Sequence, residues 1–417
     1  MTETPHENQW QGHLRGSKSY QRILLALACA GVATFAQLYS LQGVLPLLAA
    51  DLRVSAADAA LSVSTATIGL AIAVIPWSAV ADRTGRLRAM SVAVIAATVL
   101  GLVVPLMPTL STILLARFFE GLALGGIPAL ALAYLTEEVH RMHAAIAAGS
   151  YVAGTTVGGL LGRVIAGPVG DLAGWRVGIL VVSLLATMAS IGFILLAPKQ
   201  LGFVRMSNLP GGGPGLLGRL RINLLNPGLL ALYAQGFLLM GGFVAVYNFL
   251  GFRLEAPPFL LPTAITSLLF LAYLAGTFSS RSVGTLSARY GRRNMLALST
   301  LVMMCGVALT MIPVLFMVLI GLLILTAGFF GAHAVASGWS PVRASVGRAQ
   351  AASLYNLFYY AGSSLIGWWG GLVFQNLGWN ALALTVMALA LLATLWAWFA
   401  LRPATGPISG PNSAAAQ

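Results

Sequence analysis

The chain has 417 residues, 58% apolar and 8% charged, with a mean hydropathy of +0.88 and a formal net charge of +13. Soluble domains are nearer roughly 45–50% apolar, so this composition excludes a water-soluble fold. The two cysteines, Cys29 and Cys305, both fall in apolar windows, too few and too enclosed for a disulfide framework or a metal cluster.

Residues 1–21 are polar and lack the small-residue cleavage pattern of a signal peptide, so they read as a cytoplasmic tail. Twelve windows follow that are apolar enough to span a bilayer, which takes roughly 20 residues per helix. They lie near 22–45, 59–81, 87–107, 110–133, 144–166, 176–197, 227–250, 262–283, 294–313, 315–337, 350–374 and 380–401. Their apolar runs are continuous rather than alternating, so helices are expected and not barrel strands. Between the sixth and seventh windows lies the longest polar connection, 198–226, whose "NLPGGGPGLLGR" has the Gly and Pro density of a flexible joint. It separates an N-terminal six-helix bundle (22–197) from a C-terminal one (227–401), with a tail at 402–417. The expected fold class is therefore all-α integral membrane, with twelve transmembrane helices in two bundles.

The positive charge is unevenly placed. With the N-terminus assigned to the cytoplasm, 18 of the 23 Lys and Arg fall on the cytoplasmic side, three on the opposite side, and Arg117 and Arg163 inside spans. This is the positive-inside pattern. It puts both termini in the cytoplasm and assigns the basic charge to topology rather than to nucleic acid.

Two echoes point to duplication. "ADRTGR" at 81–86 returns as "SARYGR" at 287–292, an offset of 206. Gly154, Thr155, Thr156, Gly159 and Gly162 return as Gly362, Ser363, Ser364, Gly367 and Gly370, an offset of 208. The two bundles are thus expected to be pseudo-symmetric. Parallel six-helix repeats are an architecture of alternating-access carriers.

These stretches carry a family resemblance. "SAVADRTGRLR" resembles the signature loop of the major facilitator superfamily, Gly-x-x-x-Asp-Arg-x-Gly-Arg-Arg/Lys. Ser78 stands in the first Gly position and Leu87 interrupts the basic run. "RFFEGLALGG" is similar to that superfamily's fourth-helix motif through Arg117, Gly121 and Gly125, and "GTTVGGLLGRVIAGP" to the Gly-Pro-ending fifth helix of its antiporters. With "FFGAHAVASGW", the chain most resembles the YnfM-like, arabinose-efflux-permease branch, over residues 20–400. The resemblance implies an antiporter whose loop at Asp82 is a latch on one conformation, and it marks Arg117 as functional. The physics of the loop agrees. Asp82 ends the second span at the face where the eleventh begins, and a carboxylate near a helix N-terminus gains roughly 0.3–1 kcal/mol. Arg83 and Arg86 can tie Asp82 into a network, and Gly85 permits the tight turn. Topology alone explains the arginines but not Asp82, because acids contribute little to orientation. The second copy keeps Arg289, Gly291 and Arg292 but has Ala288 for the Asp, so the two inter-bundle contacts should differ in strength.

Charge inside the apolar windows is the main clue to chemistry, since such groups face the bundle interior or a cavity. Arg117 and Glu120 are three apart, on one helix face, and can pair. Glu120 is the one acid placed within a span. A carboxylate in a desolvated site beside an Arg can alternate between charged and neutral, so Glu120 is the expected proton site and Arg117 its partner. A static buried ion pair is the competing reading. Arg163, with no acid in its span, pairs across the bundle, meets a ligand anion or snorkels outward, and His333 is a second titratable candidate. Candidates to line the pore are Phe35, Tyr39 and Gln42 in the first span, Tyr233, Phe237, Tyr247 and Asn248 in the seventh, and Tyr355, Asn356, Tyr359 and Tyr360 in the eleventh.

A membrane enzyme is the rival of another class. "EEVHRMH" offers Glu137, His140 and His143 but lacks His-Glu-x-x-His spacing, and no Gly-Lys-Ser/Thr phosphate loop occurs. No cofactor or metal is implied. The expectation is a monomeric secondary transporter in a bacterial inner membrane, its partners the lipid bilayer, protons and a small-molecule substrate. It would export a sugar-like or drug-like solute by proton antiport, with an organic-anion carrier using Arg117 and Arg163 as the alternative.

Overall fold

The computed structural model describes residues 10–203 and 215–401. Over them the chain is helical, joined by short turns, with one isolated β-bridge between His13 and Val139. The long helices are α1 Lys18–Leu52, α2 Ala56–Thr84, α3 Arg86–Leu106, α4 Leu110–Glu138, α5 Arg141–Ala173, α6 Trp175–Leu196, α7 Pro227–Glu255, α8 Thr263–Tyr290, α9 Arg292–Leu309 and α10 Leu315–Arg343. The last, Arg348–Ala400, runs 53 residues and bends at Gly378, where φ is +80°. That is about 80 Å of helix, more than two bilayer cores of about 30 Å. It therefore counts as α11 (348–377) and α12 (379–400). Taking it once, ten segments among the described residues are long and apolar enough to cross a membrane, and the 18-residue α9 lies outside that set. Each of the twelve expected windows falls on one of these helices.

The N-terminal region and the central connection differ from expectation. The first helix starts at Lys18 because the Ser17 hydroxyl accepts from the Tyr20 amide at 3.2 Å, an N-cap. The 198–226 connection contains a nine-residue helix, Leu216–Leu224, while its Gly- and Pro-rich centre lies outside the described residues, as do 1–9 and 402–417. The described part of the N-terminal tail is fastened down. The His13 amide donates to the Glu138 carbonyl at 2.8 Å, the His140 amide to that of His13 at 3.1 Å, and Trp10 Nε1 to that of Glu137 at 3.0 Å.

The repeat is visible in the backbone. Gly85 and Gly291, equivalent in the two echoes, have φ of +93° and +82°. Side chains rarely adopt that region, so each echo preserves a turn only glycine makes without strain. Packing repeats as well. A Cβ on Gly154, Gly158 or Gly162 of α5 would come within 3.0 Å of the α1 backbone at Ala28, Val32 and Ala36. In the C-terminal bundle Gly362 of α11 lies against the Phe237 backbone and Gly370 against Ala245 of α7. At the middle contact the small residue changes sides, with Gly241 on α7 facing Ile366 on α11. Close helix approach, the source of packing energy when lipid surrounds the protein, is thus conserved while its glycine is exchanged between partners.

Gly362→Ala should weaken the fold by about 1–3 kcal/mol through overpacking, read as a lower midpoint in a thermal size-exclusion assay. Gly149→Ala, where nothing lies within 4 Å, should leave the midpoint unchanged or higher.

Candidate functional site

The first helix supplies the frame. It is α-helical to Tyr39, tightens to a 3-10 turn over Ser40–Val44, and resumes as α-helix over Leu45–Leu52. Pro46 explains the change, since its ring has no N–H and crowds the carbonyl four residues back, that of Gln42. Arg117 of α4 reaches the carbonyls just before this change of helix type, that of Gln37 already accepting from the Ser40 amide and hydroxyl. Its Nη1 donates to the Gln37 carbonyl at 3.0 Å, Nη2 to that of Leu38 at 2.6 Å, and Nε to that of Ser62 in α2 at 3.1 Å. Glu120 Oε2 accepts from Nη1 at 2.7 Å, and both side chains are 1% exposed. The expected i,i+3 pair is present, enclosed in the wall of the N-terminal bundle where α1, α2 and α4 meet.

The 3-10 turn presents Gln42 to the other bundle. Gln42 Nε2 donates to Asn248 Oδ1 of α7 at 2.6 Å, and Gln42 Oε1 accepts from Arg163 Nε of α5 at 2.7 Å. Arg163 Nη1 donates to the Gly159 carbonyl at 2.6 Å, and Nη2 lies 3.5 Å from the Tyr273 hydroxyl in α8. The guanidinium is 3% exposed and stands 4.0, 4.9 and 4.7 Å from the rings of Tyr39, Phe270 and Tyr273. Cation–π contact takes the place of a counter-ion: among the described residues Arg163 has no carboxylate partner. Gly43 lets the α5 backbone approach, as a Cβ there would lie 2.6 Å from the Arg163 carbonyl oxygen.

This hub lies away from the basic face, the end holding Lys18 and the even-numbered turns. Side-chain hydrogen bonds between the bundles, among the described residues, are Gln42–Asn248, Arg163–Tyr273 and a 2.6 Å pair between the Thr67 and Ser364 hydroxyls. All lie in the middle or the far half of their helices. Beyond Gln42 and Asn248 remains a cavity of about 10 Å³, room for about one water. Toward the basic face Met142 and Ile146 of α5, and Phe278 and Leu286 of α8, are exposed.

From the hub an aromatic lane runs through the C-terminal bundle. Tyr273 meets Phe243 at 5.4 Å, Phe243 stacks on Phe329 at 4.0 Å, and Phe329 stacks on His333 at 6.0 Å. His333 Nδ1 lies 2.9 Å from the Tyr355 hydroxyl, with the Tyr359 ring 4.8 Å away. Tyr247 joins through its hydroxyl, 2.7 Å from Thr326 Oγ1, and Tyr360 packs on Tyr359 at 5.1 Å. Phe35 borders the hub, 6.4 Å from Tyr39. Others stand apart: Tyr233 is buried against Phe358 at 5.4 Å, Phe237 gives its backbone to the Gly362 contact, and Asn356 is exposed. Sequence reasoning missed Phe243, Phe270, Tyr273 and Phe329. The spacing of Phe270 and Tyr273 in the eighth window was the available signal.

The Asp82 loop is wired differently from expectation. Arg86 Nη1 bonds Asp82 Oδ1 at 2.5 Å, and its Nε bonds Glu137 Oε1 of α4 at 3.1 Å. Gln200 Nε2 donates to Glu137 Oε2 at 3.0 Å, and the Leu87 amide donates to Gln200 Oε1 at 3.2 Å. The network joins the N-terminal bundle to the start of the connection, where the start of α11 was the expected partner, and Arg83 takes no part. In the second copy Arg289 stands over Tyr290 at 5.4 Å. Arg292 opens α9, and no ion pair forms at that turn among the described residues.

In a background with Cys29 and Cys305 replaced by alanine, cysteines at Gln42 and Asn248 should cross-link in high yield in this conformation. A pair at Met142 and Leu286 should not, as read by mobility after oxidation.

Comparison with known proteins agrees with this architecture. Residues 27–330 match the family model "Major Facilitator Superfamily". The inner membrane transport protein YnfM of Escherichia coli (strain K12) is 37% identical over 381 residues, covering 91% of each chain. The MFS-type transporter YybF of Bacillus subtilis (strain 168) is 33% identical over 383 residues, covering 92% of this chain and 94% of that one. Among solved structures, a bacterial homologue of the human lysosomal transporter Spinster, inward-facing and unoccupied, superposes with a TM-score of 0.74. It covers 92% of this chain and 96% of its own, at 16% identity. The chain is a multi-pass membrane protein and belongs to the Major Facilitator Superfamily of secondary transporters.

Proposed function

We propose that this transporter exports a small organic solute across a bacterial inner membrane by proton antiport, with the two bundles rocking about a central site. The Arg163–Gln42–Asn248 hub carries the reading. It joins the bundles on the side away from the basic face, while hydrophobic residues of α5 and α8 are exposed toward that face. With the basic face cytoplasmic by the positive-inside rule, this is an inward-facing state, the conformation named for the Spinster homologue. Rocking would break the hub and bring the Asp82 loop toward α11.

Proton coupling has a physical route through α1. A proton on Glu120 removes the carboxylate charge that holds Arg117, the same guanidinium that holds the carbonyls of Gln37 and Leu38. The 3-10 turn begins two residues later and carries Gln42 to the hub. A charge change at Glu120 thus acts on the element that closes the outer side, as a two-state mechanism requires. His333, hydrogen-bonded to Tyr355, is the second titratable group of the pathway. A second reading, the organic-anion carrier, draws on one observation: Arg163 has no carboxylate partner among the described residues, so an anionic solute would supply its counter-charge.

In proteoliposomes with a pH gradient and an internal pH dye, one compound from a panel of sugars, amphipathic cations and organic anions should move protons with the wild type. Glu120→Gln should bind that compound but lose the proton signal by about 100-fold or more, the lower end of what a positioned proton-transfer group contributes. Normal coupling in that variant would transfer the role to His333. If Arg163→Gln abolishes movement of organic anions alone, and no protons move, the carrier reading replaces antiport.

A further inference from the structure

A second cavity, of about 1030 Å³, opens at the basic face beside the Asp82 loop and apart from the hub. Trp77 and Val80 of α2, Val92 of α3 and the cations Arg83, Arg88 and Lys199 line it. Its volume reaches the top of the range for small-molecule pockets, about 300–1,000 Å³. The charges in it are uncompensated: among the described residues Arg83, Arg88 and Lys199 make no side-chain hydrogen bond and no ion pair. The nearby acids are already engaged. Asp82 and Glu137 hold Arg86, and Glu138 Oε1 accepts the amides of Leu201 and Gly202 at 2.8 and 2.7 Å.

The apolar side continues out of the cavity. Val92, Ile95 and Val99 follow one face of α3 and are all exposed, 59, 51 and 55%, which makes a stripe leading from the cations toward the centre of the helix. A soluble anion would need the three cations but not the stripe. A molecule with an anionic head and long apolar chains fits both, and basic pockets between helices on the cytoplasmic side are where anionic headgroups bind.

We propose that this groove is a binding site for an anionic glycerophospholipid of the cytoplasmic leaflet. Arg83, Arg88 and Lys199 hold the phosphodiester, and an acyl chain lies along Val92, Ile95 and Val99. The assignment of leaflet rests on the orientation proposed above; the binding itself does not depend on transport. The lipid would bridge α2, α3 and the segment 199–203, a segment that Gln200 already ties to α3 and α4.

The test uses the full chain in mild detergent, titrated with dioleoyl phosphatidylglycerol or dioleoyl phosphatidylcholine and read by native mass spectrometry and thermal melting. The wild type should retain phosphatidylglycerol with at least about tenfold preference and melt higher with it, each basic residue near a surface being worth about fivefold. The variant Arg83→Gln/Arg88→Gln/Lys199→Gln should lose that preference, while Arg281→Gln/Arg348→Gln, which removes charge from the same face outside the groove, should keep it. If the triple variant does not fold, Arg88→Gln and Lys199→Gln singly should each lower the preference by about fivefold. Retention of the preference in the groove variants overturns the proposal. So does displacement of the bound lipid by millimolar inorganic phosphate, which would make the site one for a soluble anion. Loss of transport with lipid preference intact would count against the transport reading and not against this one.

Discussion

One buried guanidinium organises the N-terminal bundle. The first helix tightens to a 3-10 turn ahead of Pro46, and in a bilayer every backbone polar group needs an internal partner. Arg117 donates to two carbonyls of α1 just before that turn and to one of α2, all from one planar group, and Glu120 balances its charge. Losing either partner would leave an uncompensated buried charge, a change that destabilises by about 3–5 kcal/mol in soluble proteins. The pair is therefore structural in its geometry whatever else it does. Because α1 turns here, Gln42 reaches Asn248 and Arg163, and the contact between the bundles away from the basic face lies on the same turn.

The bundles then differ in how they use polar groups. The N-terminal bundle contains both Arg117 and Arg163 and the acid paired with the first, Glu120. The C-terminal bundle answers with rings: Phe243, Phe329, Tyr247 and Tyr273 are packed at 4.0 to 5.4 Å, with Thr326 and His333 as hydroxyl and imidazole partners. Arg163 meets this aromatic surface, an arrangement in which a cation is held by ring faces and carbonyls rather than by a carboxylate.

The glycines set the mechanics. Where α1 meets α5, and α7 meets α11, close approach is kept by a small residue at each level, although the middle glycine sits on α5 in one bundle and on α7 in the other. Duplicated helices can therefore diverge in sequence and keep the same separation, provided that one of each facing pair stays small.

Much of this was legible in the chain itself. Hydropathy placed twelve windows on twelve helices, because burial in lipid demands long continuous apolar runs. The duplicated "GR" turns marked Gly85 and Gly291, because positive φ leaves almost no choice of residue. The spacing of Arg117 and Glu120 paired them, since three residues is one helical turn. Only the tertiary structure decided which groups meet across helices. It placed Arg117 on the α1 carbonyls, Gln42 between Arg163 and Asn248, Asp82 with Arg86 inside its own bundle, and Tyr233 and Asn356 away from the hub. Periodicity reports the face of one helix, whereas these contacts depend on the rotation and depth of two, set by small-residue packing and by a proline break that local pattern does not resolve.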